Sequence, residues 1–174
     1  MQKLAVVFFP KINLEKINTF REKYDPNWHI IPPHITIVSP VSGISENQLE
    51  EHVDNVIKDL SYFSIRLTTL TKTIDDNLFL RVKKGNDEIV NLHDKLYSGI
   101  LAPYVPTDFP FVPHVTLGDF RMSNNTLDKM LYAKAYREAQ DLNLDMFCQF
   151  DAVSVIKGDG TTPAKIIKTI KLHS

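Results

Sequence analysis

A short motif occurs twice in this chain and limits the folds that the chain can adopt. Its two copies are Pro33-His34-Ile35-Thr36 and Pro113-His114-Val115-Thr116, whose histidines lie 80 positions apart. Alternate residues of a β-strand lie on one face, so each histidine and its threonine would stand side by side, about 7 Å apart along the strand. The β-branched residue between them faces the other way and can enter the core. Proline suits the start of such a strand, where its missing N–H costs least.

The rest of the chain predicts an alternation of strands and helices around these two motif strands. Apolar runs and alternating patterns predict strands, which we place at residues 4–9, 34–38, 63–69, 78–82, 114–118, 146–156 and 166–172. Helical spacing of apolar residues predicts helices, which we place at residues 14–24, 45–60, 86–100 and 127–139. A capping box is expected at Ser45 and a cap at Asn86, and His52 and His93 are expected to be packing or solvated helix residues. The order strand, helix, motif strand, helix occurs twice, which predicts pseudo-repeats of about residues 1–72 and 73–174 within one α+β domain.

The motifs and their surroundings resemble the two-histidine (2H) phosphoesterase superfamily, which includes 2′-5′ RNA ligase-like proteins and RNA cyclic phosphodiesterases. Within it, the chain is most similar to the bacterial YjcG-like phosphoesterases. The residues that carry this similarity are Lys23-Tyr24-Asp25-Pro26, Pro32-Pro33-His34-Ile35-Thr36, Lys95-Leu96-Tyr97-Ser98-Gly99 and Phe111-Val112-Pro113-His114-Val115-Thr116. The resemblance spans nearly the whole chain and implies a duplicated bilobal fold, in which two antiparallel sheets face a central cleft and the helices lie outside.

Two histidines on opposite sides of a phosphodiester can divide the proton transfers of its cleavage. A histidine near its ordinary pKa of about 6.5 can donate or accept a proton at neutral pH. One of His34 and His114 would take a proton from water and the other would give one to the leaving oxygen; the sequence does not say which does which. The hydroxyls of Thr36 and Thr116 can donate hydrogen bonds to the non-bridging phosphate oxygens. This scheme needs no metal and no other cofactor.

The resemblance implies a substrate class. The known activities of the superfamily include opening 2′,3′-cyclic phosphates and cleaving or joining 2′-5′ linkages. A metal-independent phosphoesterase with a small nucleotide or an RNA end as its substrate is therefore expected.

Two further residues are predicted to contact the substrate. Tyr104 belongs to the segment 101–111, a loop rich in proline and aromatic residues. Such a loop either covers the sheet or forms a wall on which a base stacks. Arg121 follows the second motif in a region where relatives often carry a basic residue, although the corresponding position here is Asp119.

This departure leaves other function classes open. A transition state at phosphate gains from a nearby cation, so help would have to come from Arg121, Arg81, Lys3 or backbone N–H groups, or the rate would be modest. Asp119 also leaves open a non-catalytic nucleotide-binding or partner-binding module that keeps the cleft but has a degenerate site. In a metal-dependent hydrolase the motif histidines would be ligands, chelation would abolish activity, and the threonines would have no obvious role.

Composition restricts the remaining classes. At 174 residues, 43% of them hydrophobic and 24% charged, the chain suits one globular domain with a substantial core. A net charge of −1 gives no general attraction to nucleic acid, so duplex DNA is not an expected partner. The single Cys148 excludes an internal disulfide and a cysteine-based zinc site.

The first residues do not form a signal peptide and no stretch is long enough to span a bilayer, so we expect a cytoplasmic protein without a membrane partner. The sequence does not predict an oligomeric state.

Overall fold

The computed structural model describes residues 1–73, 77–108, 110–121 and 126–173, and these residues form strands and helices in alternation. In chain order they are β1 (Lys3–Phe8), α1 (Glu15–Tyr24), β2 (Ile35–Val41), α2 (Glu46–Ile57), β3 (Phe63–Lys72), β4 (Asn77–Lys84), α3 (Asn86–Leu96), a 3₁₀ helix (Gly99–Tyr104), β5 (His114–Asp119), α4 (Lys129–Asp141), β6 (Met146–Phe150), β7 (Ala152–Gly158) and β8 (Lys165–Lys171).

The strands form two four-stranded antiparallel sheets, which confirms the predicted α+β class. The order in the first sheet is β2-β1-β7-β8 and in the second sheet β5-β4-β3-β6. Every neighbouring pair is antiparallel. Each motif strand, β2 or β5, is therefore an edge strand, and these two edges lie next to each other.

The sheets do not correspond to the two halves of the sequence. β3 precedes residue 73 but belongs to the second sheet, whereas β7 and β8 return from the C-terminal part to the first sheet. The prediction of one strand over residues 146–156 is wrong, because Asp151 separates β6 from β7 and these strands lie in different sheets. The segment contains no glycine or proline at which a strand would be expected to end, so the break follows from the packing of the two sheets.

One hydrophobic core joins the sheets and the helices. Phe150, at the end of β6, stacks on Phe8 of the first sheet and on Phe63 of the second, with ring centroids 4.3 Å and 4.9 Å away. The helices contribute buried residues from their apolar faces, among them Ile17 and Phe20 of α1, Leu49 and Val53 of α2, Ile89 and Leu92 of α3, and Ala135 and Ala139 of α4. Burying a large aliphatic or aromatic side chain contributes about 1.5–3 kcal/mol, so this shared core dominates the energetics of both sheets.

The helix starts only partly follow the predicted caps. The capping box at Ser45 is confirmed, since its hydroxyl accepts from the Gln48 N–H while the Gln48 side chain accepts from the Ser45 N–H. The predicted cap at Asn86 is wrong: Gly85 precedes α3 with φ of 80°, a conformation that favours glycine, and Asn86 is the first helical residue. No helix in the described ranges is long and apolar enough to cross a membrane.

Candidate active site

The two motifs occupy equivalent places in their sheets. Ile35 and Val115, the middle residues of the motifs, are 0% and 1% exposed, and each faces the core. Their neighbours Thr36 and Thr116 alternate with them and are half-buried on the opposite, open face of each sheet. The predicted alternation of core and open-face residues is therefore confirmed in both strands.

A β-bulge follows each motif at the same position. The extra residue in β2 is Ile37, directly after Thr36, and in β5 it is Leu117, directly after Thr116. Both extra side chains are buried. A bulge ends regular pairing and re-aims the side chains beside it, so the two motifs share a local backbone geometry as well as a sequence.

Each motif histidine makes the same hydrogen bond to the backbone. Nδ1 of His34 lies 2.8 Å from the carbonyl oxygen of Pro32, and Nδ1 of His114 lies 2.5 Å from that of Val112. A carbonyl oxygen can only accept, so Nδ1 carries the hydrogen in both rings. In the neutral form of each ring, Nε2 is then the nitrogen with the lone pair that can take a proton.

The two rings have different aromatic neighbours. His114 stacks on Phe79 of the adjacent strand, with ring centroids 3.4 Å apart and planes 11° from parallel. Phe9 lies 6.2 Å from the His34 ring at an angle of 57°. The second motif histidine is thus held flat against an aromatic ring, whereas the first is not.

The surroundings of His34 lower its pKa below the ordinary value of 6.5. Burial of the ring is the largest cause, because it penalises the charged form. The bond to the Pro32 carbonyl opposes this, and of two nearby charges Arg21 lowers the pKa while Asp25 raises it. The net result favours a neutral His34 at neutral pH.

A buried ion pair supports the segment that leads into the first motif. Arg21 and Asp25 are 3% and 5% exposed, and the Arg21 Nε donates to Asp25 Oδ2 over 2.8 Å. Arg21 also donates to the carbonyl of Ile31 over 3.0 Å, and Asp25 accepts from the N–H of Asn27. The pair therefore fixes both ends of the segment before His34. No motif in the sequence predicts this pair, although two opposite charges four residues apart, beside the apolar Ile17 and Tyr24, are a signal for it.

A cavity of about 290 Å³ opens beside His34 and Thr36 on the first sheet. Its lining is mostly aliphatic, with Lys3 as its one cation among the residues described. The aliphatic residues are Ala5, Val7, Ile30, Ile31, Ile156 and Ala164.

A second cavity of about 500 Å³ opens beside His114 on the second sheet. It combines Arg81 with the rings of Phe79, His93 and Phe111. Three residues that carry hydroxyl groups also line it: Ser39, Thr71 and Thr73. In the described part of the chain, neither Arg81 nor Lys3 has a carboxylate within 4.0 Å, so both cations remain available to an anion.

Comparison with known proteins identifies the family. Residues 8–162 match the family model described as the 2′-5′ RNA ligase superfamily. The chain belongs to this superfamily. A relative from Bacillus licheniformis, named "Putative phosphoesterase", is 31% identical over 142 residues, which cover 79% of this chain and 82% of the relative. A relative of the same name from Geobacillus thermodenitrificans is 31% identical over 122 residues, covering 67% and 68% of the two chains.

Solved structures show the same architecture. The crystal structure of Escherichia coli LigT complexed with 3′-AMP superposes with a TM-score of 0.65 at 15% identity, covering 99% of both chains. Another crystal structure, described as a phosphoesterase, has a TM-score of 0.66 at 16% identity and covers 99% of both chains. At this identity the likeness concerns the fold alone. The family match confirms the predicted membership of the 2H phosphoesterase superfamily, and the fold agrees with it.

The two predicted substrate contacts lie outside the two cavities. The hydroxyl of Tyr104 donates to the carbonyl of Ser42 over 2.9 Å, which ties the proline-rich loop to the turn after β2. Arg121 forms a two-point ion pair with Asp119, with Nη2–Oδ2 2.5 Å and Nε–Oδ1 3.0 Å. Burial raises the pKa of Asp119, but the hydrogen bonds and charge of Arg121 outweigh it and lower the pKa overall. Roles for Tyr104 and Arg121 in substrate binding stay predictions.

The shared role of the four motif residues also stays a prediction. The structure brings β2 and β5 side by side and opens a cavity at each histidine. Among the described residues, no three His, Cys, Asp or Glu side chains are grouped so that they could hold a metal ion.

Proposed function

We propose that the protein is a metal-independent phosphoesterase that opens 2′,3′-cyclic phosphates or cleaves 2′-5′ linkages at nucleotides or RNA ends. The observation that carries this proposal is the matched pair of histidines. Nδ1 of His34 and of His114 each donates to a backbone carbonyl, so in both neutral rings Nε2 is the nitrogen with the lone pair. A pair of equivalent proton carriers at adjoining sheet edges suits a reaction in which one proton is taken and another is given.

The surroundings of His34 support a division of labour between the histidines. The lowered pKa of His34 favours the neutral ring, which is the form that accepts a proton from water. His114 would then donate a proton to the leaving oxygen. Thr36 and Thr116 would hold the non-bridging oxygens, and Arg81, beside His114, would supply the cation that Asp119 does not.

Ligands of a structural neighbour support a nucleotide substrate. E. coli LigT has been crystallised with 3′-AMP, ATP, NADP⁺ and phosphate. Those molecules share a phosphate, and three of them a nucleotide. A small nucleotide or an RNA end is therefore the ligand that we propose for this chain.

A substrate panel with a chelator present tests the proposal. The panel contains 2′,3′-cyclic nucleotides, 2′-5′ and 3′-5′ dinucleotides, and ADP-ribose cyclic phosphate. We expect turnover of a cyclic or a 2′-5′ substrate that chelation does not change and that His34→Ala and His114→Ala each remove. The matched control is His52→Ala, since His52 contacts the Leu96 carbonyl between two helices and lines neither cavity.

The outcomes separate the alternatives. Loss of activity on chelation would favour a metal-dependent hydrolase. Nucleotide binding without turnover of any panel member would favour a binding module with a degenerate site. Near-normal rates in both motif variants would refute the proposed chemistry.

A further inference from the structure

We propose that the cavity beside His114 binds the nucleobase of the substrate, and that the ring of Phe111 is its stacking surface. This inference rests on the proposed function, because it assigns the base side of the same site. It divides the site into a base-binding part on the second sheet and a part without base recognition on the first.

The ring of Phe111 is held in place before any ligand binds. It stacks on His93 of α3, with ring centroids 3.9 Å apart and planes 7° from parallel. His93 is itself 8% exposed and is fixed by Tyr97, whose ring lies 4.7 Å away, and by the carboxylate of Asp94 at 3.0 Å. A rigid aromatic surface loses little conformational freedom on binding, which favours stacking of a flat ligand.

The other groups of this cavity match the remaining parts of a nucleotide. Arg81 is the register partner of His114 across β4 and β5 and lines the same cavity, so this cation belongs to the strand position next to the histidine at which the phosphate would react. Ser39 and Thr71 line the same space, and a hydroxyl group can donate to or accept from the polar edge of a base. Phosphate-binding, polar and aromatic groups therefore share one cavity of about 500 Å³, within the range of cavities that hold small ligands.

The cavity beside His34 lacks these features. It measures about 290 Å³, and among the described residues its lining contains no phenylalanine, tyrosine or tryptophan. Val7, Ile31 and Ile156 give it an aliphatic surface, and its one aromatic ring among the described residues is the imidazole of the proposed proton carrier His34. The comparison places the base at His114 rather than at His34.

Two substrates that differ only in the base test the assignment. We would measure kcat and KM with 2′,3′-cyclic AMP and with a methyl riboside 2,3-cyclic phosphate, which keeps the sugar and the phosphate. In Phe111→Ala, KM for 2′,3′-cyclic AMP should rise on the order of 10-fold, as expected for one lost base–aromatic stack, with kcat little changed. KM for the base-free substrate should stay within about two-fold of the wild-type value.

Further variants separate stacking from a loss of structure. Phe111→Leu keeps an apolar side chain of similar size and should show the same selective loss with a melting temperature near that of the wild type. Phe111→Tyr, which keeps an aromatic ring, should retain the preference for 2′,3′-cyclic AMP over the base-free substrate. The matched control is Phe147→Ala, which removes an exposed ring from β6 at the far edge of the same sheet and should change neither KM. Arg81→Ala should raise KM for both substrates alike.

A binding measurement separates this inference from the proposed function. Calorimetry with 3′-AMP and with inorganic phosphate needs no turnover, and Phe111→Leu should weaken only the binding of 3′-AMP. If no panel substrate is turned over but this selective loss occurs, the proposed function fails and the base site stands. The base site is refuted if wild-type protein binds 3′-AMP no better than phosphate, or if Phe111→Ala and Phe111→Leu leave the preference for the base unchanged.

Discussion

Replacing Asp25 by alanine tests how strongly the buried ion pair of α1 supports the first motif. The change removes the carboxylate that the structure pairs with Arg21, a side chain that is 3% exposed. It also removes the acceptor of the Asn27 N–H. Arg21 would keep its hydrogen bond to the Ile31 carbonyl but would lose the counter-ion of its buried charge.

The expected loss of stability is large for a single substitution. Breaking a buried ion pair by removing one partner costs about 3–5 kcal/mol, most of it the penalty of the unpaired charge. For a chain of this size each kcal/mol lowers the melting temperature by about 2–4 °C, so Asp25→Ala should melt about 6–20 °C lower. A double variant, Arg21→Met with Asp25→Leu, should recover much of this, because it removes both charges and keeps apolar volume.

Urea unfolding of the wild type and the two variants measures the effect. The matched control is Asp145→Ala, which breaks the ion pair to Arg66. The Nη2–Oδ2 distance is 2.7 Å in this pair and in Arg21–Asp25, but Arg66 and Asp145 are 40% and 45% exposed, so the change should affect stability little. Because Asp25 raises the pKa of His34 and Arg21 lowers it, NMR titration should also show a further fall of the His34 pKa in Asp25→Ala. A loss of stability below about 1 kcal/mol, or a His34 pKa that rises, would refute the reasoning.

The remaining predictions concern the motif residues and their charges. Alanine at His34 or His114 should each reduce turnover by about 10²–10⁴-fold and remove one limb of a bell-shaped pH–rate profile. Alanine at Thr36 or Thr116 should cost about 10-fold, because a hydrogen bond is lost but no proton path, as steady-state kinetics would show. The limb of the profile that belongs to His34 should lie below pH 6.5, because its pKa is lowered in the folded protein. Below about pH 6.5 the unfolded chain binds a proton at His34 more readily than the folded protein does, so the contribution of His34 to stability should fall as the pH drops towards the folded-state pKa. The difference in stability between the wild type and His34→Gln over this pH range measures the effect. Asp119→Asn should tighten phosphate binding a few-fold in competition assays, because it removes a negative charge three residues after Thr116; weaker binding would contradict this.

The motif pair was the part of the fold that could be predicted most securely from the sequence. The two copies of the motif share the order proline, histidine, β-branched residue, threonine, and each copy predicts a strand with alternating faces. The burial of Ile35 and Val115 agrees with this prediction. The start of α2 at Ser45 could also be predicted, because the capping box depends on two residues only three positions apart. These features depend on near neighbours, whose influence a sequence pattern records directly.

Other features depend on contacts between distant parts of the chain. The bulged Ile37 and Leu117 arise from the register with β1 and β4, which no local pattern contains. The break at Asp151 has the same origin, because the chain leaves one sheet and enters the other there. Phe111 was predicted only as part of a loop with two interpretations, since its position against His93 joins segments far apart in the fold.

The chain crosses twice between the sheets, and these crossings explain how the two motif strands are held next to each other. The chain passes from the first sheet to the second between β2 and β3 and returns between β6 and β7. Two segments therefore connect the sheets, and the sheets cannot move apart by bending at one linker. Phe150 lies at the return point and stacks on a ring from each sheet, so moving the sheets apart would break the core that both share. Since β2 and β5 are the adjoining edges of these sheets, the same core fixes the separation of the two motifs. Catalysis by paired proton transfer depends on groups that are already in place when the substrate arrives, because their ordering then costs nothing at the moment of reaction. The two crossings thus give this fold a rigid frame for two motifs whose histidines lie 80 residues apart in sequence, which is what the proposed paired proton transfer requires.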